Sequence, residues 1–372
     1  MIFLLHILKF FMRLLYACFK LFPTQNKVVF LSRQLNQPPV DFLMLEAEIH
    51  RRNPAIKVVM VCKRADGGFV HGIRFAWATI RSMFHLATAR VCILDTYSLP
   101  VSLLRHKPTL YVIQIWHAMG KIKKSGYSNL DTKEAVGRSS KVAKVMNMHK
   151  GYDLIIAGGR AWNPFYAESF GVKEDVLYNV GLPRIDYMIQ NRQHLRKKIL
   201  DKYPDLKTKT TIVYAPTHRK VVDDGLKNLV ENFDFDTFNL IIKSHPNQQL
   251  NVETDRLYTL SEFTTLECLS IADYLITDYS GTSIEAAALN VKTYYYLYDY
   301  DYYTSENGVN IDLFAEMPGC VFREADGLTL ALASGSYNAR AFAQYKSKFL
   351  PDTVGRSTAL ITDKIMENLE AS

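Results

Sequence analysis

Apolar residues recur along this chain in short β-branched runs that alternate with longer stretches of helical periodicity. In the first half, the runs predict strands at 27–31, 56–62, 89–94 and 110–115, with helices at 42–51 and 75–88. Short continuous runs are typical of buried strands, and recurrence every three or four residues is typical of helices. Repeated β-α units of this kind predict a parallel sheet covered by helices.

The same alternation resumes after Gly181–Asp186, with a linker helix at 187–203 and a strand from Thr210, and continues to about Tyr298. A chain of 372 residues exceeds the size at which a single core usually stops growing. We therefore predict an α/β protein of glycosyltransferase-B-like architecture, in which two Rossmann-like domains face a cleft. The predicted domains are 27–185 and 186–372; a single larger doubly wound domain is the alternative.

The first segment, 1–22, is mostly apolar but carries four basic residues at helical spacing, His6, Lys9, Arg13 and Lys20. No uncharged run approaches the roughly 20 residues that span a bilayer, and no small-residue cleavage site precedes Pro23. The pattern predicts an amphipathic helix that lies in the headgroup plane and favours anionic lipid. The alternative is a structural helix packed on the core.

Composition excludes only a few classes of function. The net charge of +8 suits a nucleotide, another polyanion or an anionic membrane surface equally well. The five cysteines are scattered and lack C-x-x-C spacing, which indicates neither a disulfide framework nor a zinc site and fits a reducing, cytosolic setting.

The most informative stretch is 275–289, where an apolar run breaks into small hydroxylated residues and then into a helix-forming series. A strand, a tight turn and a helix N-terminus leave backbone N–H groups that favour an anion. The turn carries the residues predicted to form a diphosphate site: Thr277, Asp278, Ser280, Gly281, Thr282 and Ser283. An ordinary capped helix after a buried strand is the alternative.

A second run, 241–247, delivers Lys243 and His245 to the carboxyl end of a strand, where open α/β sheets bind their ligands. Together the two turns predict a nucleotide or diphosphate site in the C-terminal half. Between Gly120 and Gly151 the periodicity is lost and basic residues predominate, which predicts a mobile basic segment beside a site.

Six blocks resemble, in order, the signatures of the CDP-glycerol glycerophosphotransferase family of teichoic acid synthesis enzymes. They are Gln114–Lys124, Val180–Asp186, Tyr214–Arg219, Lys243–Pro246, Ala272–Gly281 and Tyr298–Tyr303. The resemblance covers roughly 27–323. It implies a peripheral enzyme on the cytoplasmic face of the membrane of Gram-positive bacteria. Such an enzyme moves glycerol phosphate from CDP-glycerol to a polyprenyl-diphosphate-linked acceptor and releases CMP.

The resemblance also implies roles for individual residues. His117 matches the family histidine expected to act as general base, although a structural histidine beside Trp116 is the alternative. His245 would bind the diphosphate or protonate the leaving phosphate, and Arg219 and Lys243 would add positive charge. The residues expected on the acceptor side are Trp116, Lys121, Lys123 and Lys124.

Departures from the family pattern leave several alternatives open. His117-Ala118-Met119-Gly120 stands where His-Gly-Thr-Pro is usual, and Asp278-Tyr279-Ser280-Gly281 where Asp-Tyr-Ser-Ser is usual. The donor could therefore be CDP-ribitol, and one transfer is not distinguished from polymerisation. No carboxylate cluster has metal-ligand spacing, so neither a metal nor another cofactor is indicated.

Two other classes of protein share some of these features. A nucleotide-sugar glycosyltransferase would have the same architecture. A basic protein without catalysis would explain the charge but not the paired histidines at strand ends. Basic residues are not interleaved with aromatic ones, so no nucleic acid partner is expected.

Overall fold

A computed structural model describes residues 2–64, 69–132, 139–217, 224–243 and 256–370. The chain divides into two compact units. The first comprises Met1–Met119, Ser125–Asp186 and Pro351–Ser372, and the second comprises Gly120–Lys124 and Tyr187–Leu350. The boundary at Asp186 falls inside a helix, Pro183–Lys202.

The first unit is built on a six-stranded parallel sheet with the order β2-β1-β3-β4-β5-β6. Its strands are β1 (Lys27–Ser32), β2 (Lys57–Cys62), β3 (Val91–Leu94), β4 (Tyr111–Gln114), β5 (Leu154–Ala157) and β6 (Leu177–Asn179). Its helices are α1 (Ile2–Phe19), α2 (Val40–Arg52), α3 (Phe69–Thr88), α4 (Leu99–Leu103), α5 (Ser140–Val145), α6 (Asn163–Phe170) and the start of α7 (Pro183–Lys202). The strand order reverses between β1 and β3.

The second unit has a parallel sheet of the same size, with the order β12-β11-β10-β7-β8-β9. Its strands are β7 (Thr210–Tyr214), β8 (Phe238–Ile242), β9 (Leu257–Tyr258), β10 (Tyr274–Thr277), β11 (Lys292–Tyr296) and β12 (Val321–Phe322). Its helices after α7 are α8 (Asp224–Glu231), α9 (Thr265–Cys268), α10 (Thr282–Ala288), α11 (Tyr300–Glu306), α12 (Leu313–Glu316), α13 (Ala325–Ser334) and α14 (Ala339–Phe349), whereas α15 (Ser357–Glu370) belongs to the first unit. The order reverses between β7 and β10.

Two parallel-sheet, Rossmann-like units confirm the predicted fold class. The central strands are buried on both faces, as β-branched and leucine-rich runs predict for parallel sheets. The domain boundaries differ from the prediction at the C-terminus. The sequence predicted one domain over 186–372, whereas Pro351–Ser372 belongs to the first unit.

One buried carboxylate explains why the last helix folds with the first unit. Asp186 accepts hydrogen bonds from the backbone N–H groups of Ser357 at 3.3 Å and Thr358 at 2.7 Å, and from the Thr358 hydroxyl at 2.7 Å. The carboxylate therefore satisfies the free N–H groups at the start of α15 and complements its dipole. The Ser357 hydroxyl adds a bond to the carbonyl of Val180.

The N-terminal helix α1 is packed on the first unit along one side and exposes apolar side chains on the other. Tyr16 is buried and its hydroxyl lies 2.7 Å from Nδ1 of His106, while Phe10 and Phe11 are more than half exposed. Lys9 and Lys20 donate to the backbone carbonyls of Val145 and Arg105. Two residues of the predicted outward-facing basic stripe thus contact the protein itself, because helix packing and not residue spacing chooses which face is covered.

We expect Asp186→Ala to destabilise the protein by about 2–4 kcal/mol, since the change removes a helix cap and leaves buried donors unpaired. Differential scanning calorimetry measures this as a lower melting temperature. Asp352→Ala, an exposed carboxylate near the same helix, is the matched control. Equal melting temperatures for the two variants would contradict the capping role of Asp186.

Candidate active site

The two loops at the point of strand reversal in the second unit are joined by a buried carboxylate. Asp278, which follows β10, accepts hydrogen bonds from the backbone N–H of Thr217 at 2.9 and 3.0 Å and from its hydroxyl at 2.7 Å. Thr277 donates to the carbonyl of Ala215 at 2.6 Å. The loops after β7 and β10 are therefore held together at the edge where open α/β sheets bind ligands.

The predicted donor-binding residues of this turn divide into buried supports and accessible groups. Thr277, Asp278 and Ser283 are buried, with exposed fractions of 0–2%. Ser280, Gly281 and Thr282 are partly exposed. The Ser280 hydroxyl donates to the Thr282 hydroxyl at 3.0 Å, and the Ser283 hydroxyl donates to the Ser280 carbonyl at 3.0 Å. Only the accessible three are available to a ligand on this surface.

Aromatic packing also stabilises the turn that carries Ser280. The ring of Tyr279 stacks on that of Tyr303 in α11, with centroids 3.9 Å apart and planes 4° from parallel. The Tyr279 hydroxyl also lies 3.4 Å from Asp299. The tyrosine-rich block at 298–303, which the sequence associated only with the family, thus fixes the backbone that carries Ser280.

Lys243, predicted to add positive charge to the site, is engaged by the protein itself, and its role toward a ligand stays a prediction. Its ammonium group donates to three backbone carbonyls, those of Thr259 at 3.1 Å, Leu260 at 3.0 Å and Phe263 at 2.6 Å. An ammonium has three N–H donors, so all of them are used in holding the 259–263 loop. The other predicted groups of this edge, Arg219 and His245, lie outside the described residues.

The lysine-rich segment predicted on the acceptor side, Gly120–Lys124, belongs to the second unit. Lys123 forms an antiparallel bridge with Val309, and the Lys124 N–H donates to the Gly308 carbonyl at 3.1 Å. Asn310 donates to the Lys121 carbonyl at 2.6 Å. These bonds tie 120–124 to 308–310 as a short strand-like connection; the wider segment of 120–151 that was predicted to be mobile includes residues outside the described ranges.

The three lysines of that segment differ in exposure. Lys121 is 3% exposed, Lys123 is exposed and Lys124 is intermediate. Burial, with a smaller contribution from the charge of Lys123, lowers the pKa of Lys121 from 10.5 to about 7. Lys121 is therefore a core group of the second unit, whereas Lys123 remains at the surface.

In the first unit, His117 lies just after β4, where its side chain is exposed and one nitrogen of its ring contacts a backbone carbonyl. Nδ1 lies 3.4 Å from the carbonyl oxygen of Asp95. Because a carbonyl only accepts hydrogen bonds, this contact favours the Nδ1–H tautomer and leaves Nε2 as the basic nitrogen. An exposed, oriented imidazole of this kind can accept a proton from a bound hydroxyl.

The residue before it, Trp116, has a left-handed backbone with φ of 55°. A bulky residue rarely adopts this conformation unless its surroundings impose it. The Trp116 N–H donates to Gln114 at 2.8 Å, and its ring lies 4.1 Å from that of His117 and 5.0 Å from that of Phe170. Packing of the indole thus fixes the direction of the chain at His117.

Sequence reasoning missed the histidine that completes this aromatic cluster. His149 is 4% exposed and its ring contacts those of Trp116, Tyr97 and Phe170. Its Nδ1 lies 3.2 Å from the Tyr152 hydroxyl. The segment that holds it was predicted as irregular, and nothing in the local spacing indicated that the chain returns to Trp116.

Asp95, directly after β3, was also missed, although an acid after a buried apolar run is a recognisable signal. Burial raises its pKa to about 6, against the opposing effect of a 2.8 Å hydrogen bond from Ser32 to Oδ2. The second oxygen, Oδ1, is buried without a hydrogen-bond partner among the described residues. The backbone carbonyl of this same residue is the group that contacts His117.

Across the described ranges, no group of three or more His, Cys, Asp or Glu side chains is arranged to hold a metal ion. In the same ranges, no helix is both long enough and apolar enough to cross a membrane.

Comparison with known structures places the fold in a defined class. The wall teichoic acid polymerase TagF superposes with a TM-score of 0.75 at 18% identity, over 96% of this chain and 93% of that chain. At this identity the likeness shows the fold alone: two Rossmann-like units, as in the glycosyltransferase-B class.

Comparison of sequences identifies the family. The family model for CDP-glycerol:poly(glycerophosphate) glycerophosphotransferase matches residues 14–367, and the chain belongs to this family of transferases. A teichoic acid ribitol-phosphate primase of Bacillus spizizenii is 26% identical over 93% of this chain and 92% of its own length. A teichoic acid glycerol-phosphate primase of Bacillus subtilis is 27% identical over 67% of this chain and 66% of its own length. The resemblance found in the six sequence blocks is thereby confirmed.

The buried Lys121 predicts a pH-dependent stability. Its pKa of about 7 lies below the ordinary 10.5, so between these values the unfolded chain binds more protons than the folded one. Stability should therefore rise with pH across this window and lose that contribution as pH falls through 7. Lys121→Met should remove about 2 kcal/mol of this rise between pH 7 and 9.

Melting temperatures of both proteins at pH 6.5, 7.5 and 9 measure the effect. Lys227→Met, at an exposed position of α8 in the same unit, is the control. The explanation fails if Lys121→Met and the unsubstituted protein keep a constant difference in melting temperature across this range.

Proposed function

We propose that this protein transfers glycerol phosphate from CDP-glycerol to a lipid-linked acceptor of teichoic acid or a related cell-wall polymer, with release of CMP. The observation that carries the proposal is that the His117 imidazole is exposed and that its Nδ1 contacts the Asp95 carbonyl oxygen. The chain that holds this histidine belongs to a family of transferases. CDP-ribitol is the second candidate donor, favoured by the near full-length similarity to a ribitol-phosphate primase.

The proposed reaction is a phosphoryl transfer between oxygens. The acceptor hydroxyl attacks the β-phosphorus of the donor, Nε2 of His117 takes the hydroxyl proton, and the bond from that phosphorus to CMP breaks with its electron pair on the CMP oxygen. Such a step requires orientation and electrostatic stabilisation of the phosphoryl oxygens. We assign donor binding to the accessible turn of Ser280, Gly281 and Thr282.

The remaining predicted groups keep their roles as proposals. His245 would bind the diphosphate or protonate departing CMP, and Arg219 would add positive charge. We expect neither a resident metal nor another cofactor, because the sequence offers no carboxylate cluster with metal-ligand spacing.

A donor screen tests this function. Purified protein is given CDP-glycerol, CDP-ribitol or a UDP-hexose together with a prenyl-diphosphate-linked acceptor analogue, and release of CMP or UDP is followed. We expect CMP from a CDP-alditol. His117→Ala should slow that release by about 10²–10⁴-fold, since general-base catalysis contributes that much.

His194→Ala is the matched control, because His194 is exposed on α7 and takes no part in the proposed chemistry. Turnover of a UDP-hexose alone would instead identify a nucleotide-sugar glycosyltransferase. Near-normal turnover by His117→Ala would remove this histidine from the mechanism.

We further propose that the protein attaches peripherally to the cytoplasmic face of an anionic membrane through apolar side chains on α1 and α3. The most exposed of these are Phe3 at 74%, Trp77 at 69%, Phe10 at 63% and Phe11 at 61%. Exposed apolar surface of this extent is uncommon on a soluble protein face and favours insertion at the acyl boundary. The basic residues that remain exposed on α1, His6 and Arg13, would contact headgroups.

The double variant Phe10→Ser, Phe11→Ser should weaken binding to phosphatidylglycerol-containing vesicles at least ~30-fold, because two aromatic side chains no longer leave water. Vesicle co-sedimentation measures this. Leu330→Ser removes an equally exposed apolar side chain from α13 and should have no effect. Undiminished binding of the double variant would show that another surface holds the membrane.

A further inference from the structure

A cavity of about 240 Å³ lies at the carboxyl edge of the first unit's sheet. It is lined by residues that follow β1 and β2, among them Arg33 and Lys63, and by Tyr97 from the loop after β3. The strand order of this sheet reverses between β1 and β3. The cavity therefore occupies the position at which open α/β sheets bind ligands, and its described lining residues all belong to the first unit.

The cavity is basic on one side and apolar on the other. Arg33 and Lys63 are the charged residues among the described residues that line it, and none of those residues is acidic. Phe75 and Met146 contribute to the apolar wall. Positive groups with no acidic residue among the described residues of the cavity wall favour an anionic ligand.

Arg33 is held in place but retains a buried donor. Its Nη1 donates to the Tyr97 carbonyl at 3.1 Å, and its guanidinium lies 5.2 Å from the centre of the Phe75 ring. Its Nε is buried and has no hydrogen-bond partner in the described part of the chain. Buried donors are nearly always paired, so an unpaired guanidinium nitrogen in a cavity wall indicates a ligand that supplies the acceptor.

Three hydroxyl groups of the wall already donate to backbone carbonyls. Tyr97 donates to the Met146 carbonyl at 3.0 Å, Thr79 to that of Phe75 at 2.9 Å and Ser82 to that of Ala78 at 2.8 Å. These three hydroxyls can still accept hydrogen bonds but have no O–H left to donate to a ligand oxygen. The cationic donors among the described lining residues, Arg33 and Lys63, favour an anion over a neutral sugar.

The cavity is close along the chain to the candidate base. Tyr97, which lines it, follows Asp95 by two residues, and the Asp95 carbonyl is the oxygen that contacts Nδ1 of His117. A group bound in the cavity and a hydroxyl at His117 would therefore be held by the same loop after β3. Its volume is smaller than that of a typical drug-sized site, and it suits one phosphate with a few attached atoms.

We propose that this cavity binds a phosphate group of the acceptor substrate, with Arg33 and Lys63 as its ligands. The inference rests on the proposed function for the name of the substrate but not for the existence of the site. The phosphate has two possible sources, a phosphodiester of an alditol-phosphate chain or the diphosphate that joins the acceptor to its lipid.

Direct binding of two probes tests the site. Glycerophosphoglycerol carries the phosphodiester, geranyl diphosphate carries the lipid-linked diphosphate, and isothermal titration calorimetry is run with CMP in excess to occupy a donor site. We expect at least one probe to bind, and Arg33→Gln and Lys63→Gln each to weaken it by about 10-fold or more, as loss of a charge-assisted hydrogen bond does.

Lys57→Gln is the matched control, because Lys57 is exposed at the start of β2, the strand that ends just before Lys63. Lys63 is only partly buried, so its variant remains informative if Arg33→Gln fails to fold. If glycerophosphoglycerol alone binds, the cavity holds a phosphodiester from the polymer end of the acceptor. If geranyl diphosphate alone binds, the cavity holds the diphosphate at the lipid end. Binding of both assigns a general phosphate site.

The proposal is overturned if neither probe binds at about millimolar concentration, or if binding is equal in the unsubstituted protein and both cavity variants. Kinetics separate this result from failure of the proposed function. In an active protein, Lys63→Gln should raise the acceptor KM about 10-fold and leave the donor KM unchanged. An enzyme inactive with every CDP-alditol would reject the proposed function, while probe binding would still test the cavity.

Discussion

The parallel direction of all strands within each sheet is the constraint on which the rest of this protein depends. In a parallel sheet the carboxyl ends of the strands meet at one edge, and the loops that follow must satisfy their backbone groups without a further ladder partner. The Asp278 carboxylate does this for the backbone N–H of Thr217 in the second unit, and the His117 ring does it for the backbone carbonyl of Asp95 in the first. The accessible candidate groups are arranged around these paired loops.

Burial decides whether a charged residue supports the fold or remains available for chemistry. An ion removed from water must be neutralised or fully hydrogen-bonded. Lys243 meets this requirement with three carbonyls, and Asp186 meets it by capping α15. Lys121 has its pKa lowered toward neutrality. Residue types that suggest phosphate binding in a sequence can thus be structural, whereas Ser280 is partly exposed and His117 is exposed in the described part of the chain.

Backbone strain in the first unit is tied to the candidate base. Trp116 and His149 both have positive φ angles, and their rings lie in contact in one aromatic cluster. Left-handed conformations of non-glycine residues cost free energy that only surrounding packing can offset. Here the offset comes from Phe170 and Tyr97, and the result is a fixed imidazole at the end of β4.

The sequence by itself determined the α/β class, two Rossmann-like units, the transferase family and the turn at Ser280, because these depend on local periodicity and on short ordered blocks. It did not determine that Gly120–Lys124 pairs with the second unit, that Pro351–Ser372 returns to the first, or that Lys9 and Lys20 contact protein carbonyls. Local spacing records which face of an element is apolar, but the partner that covers that face comes from residues far away in the chain. Only the tertiary structure decides which charges are buried, and therefore which of the predicted groups a ligand can reach.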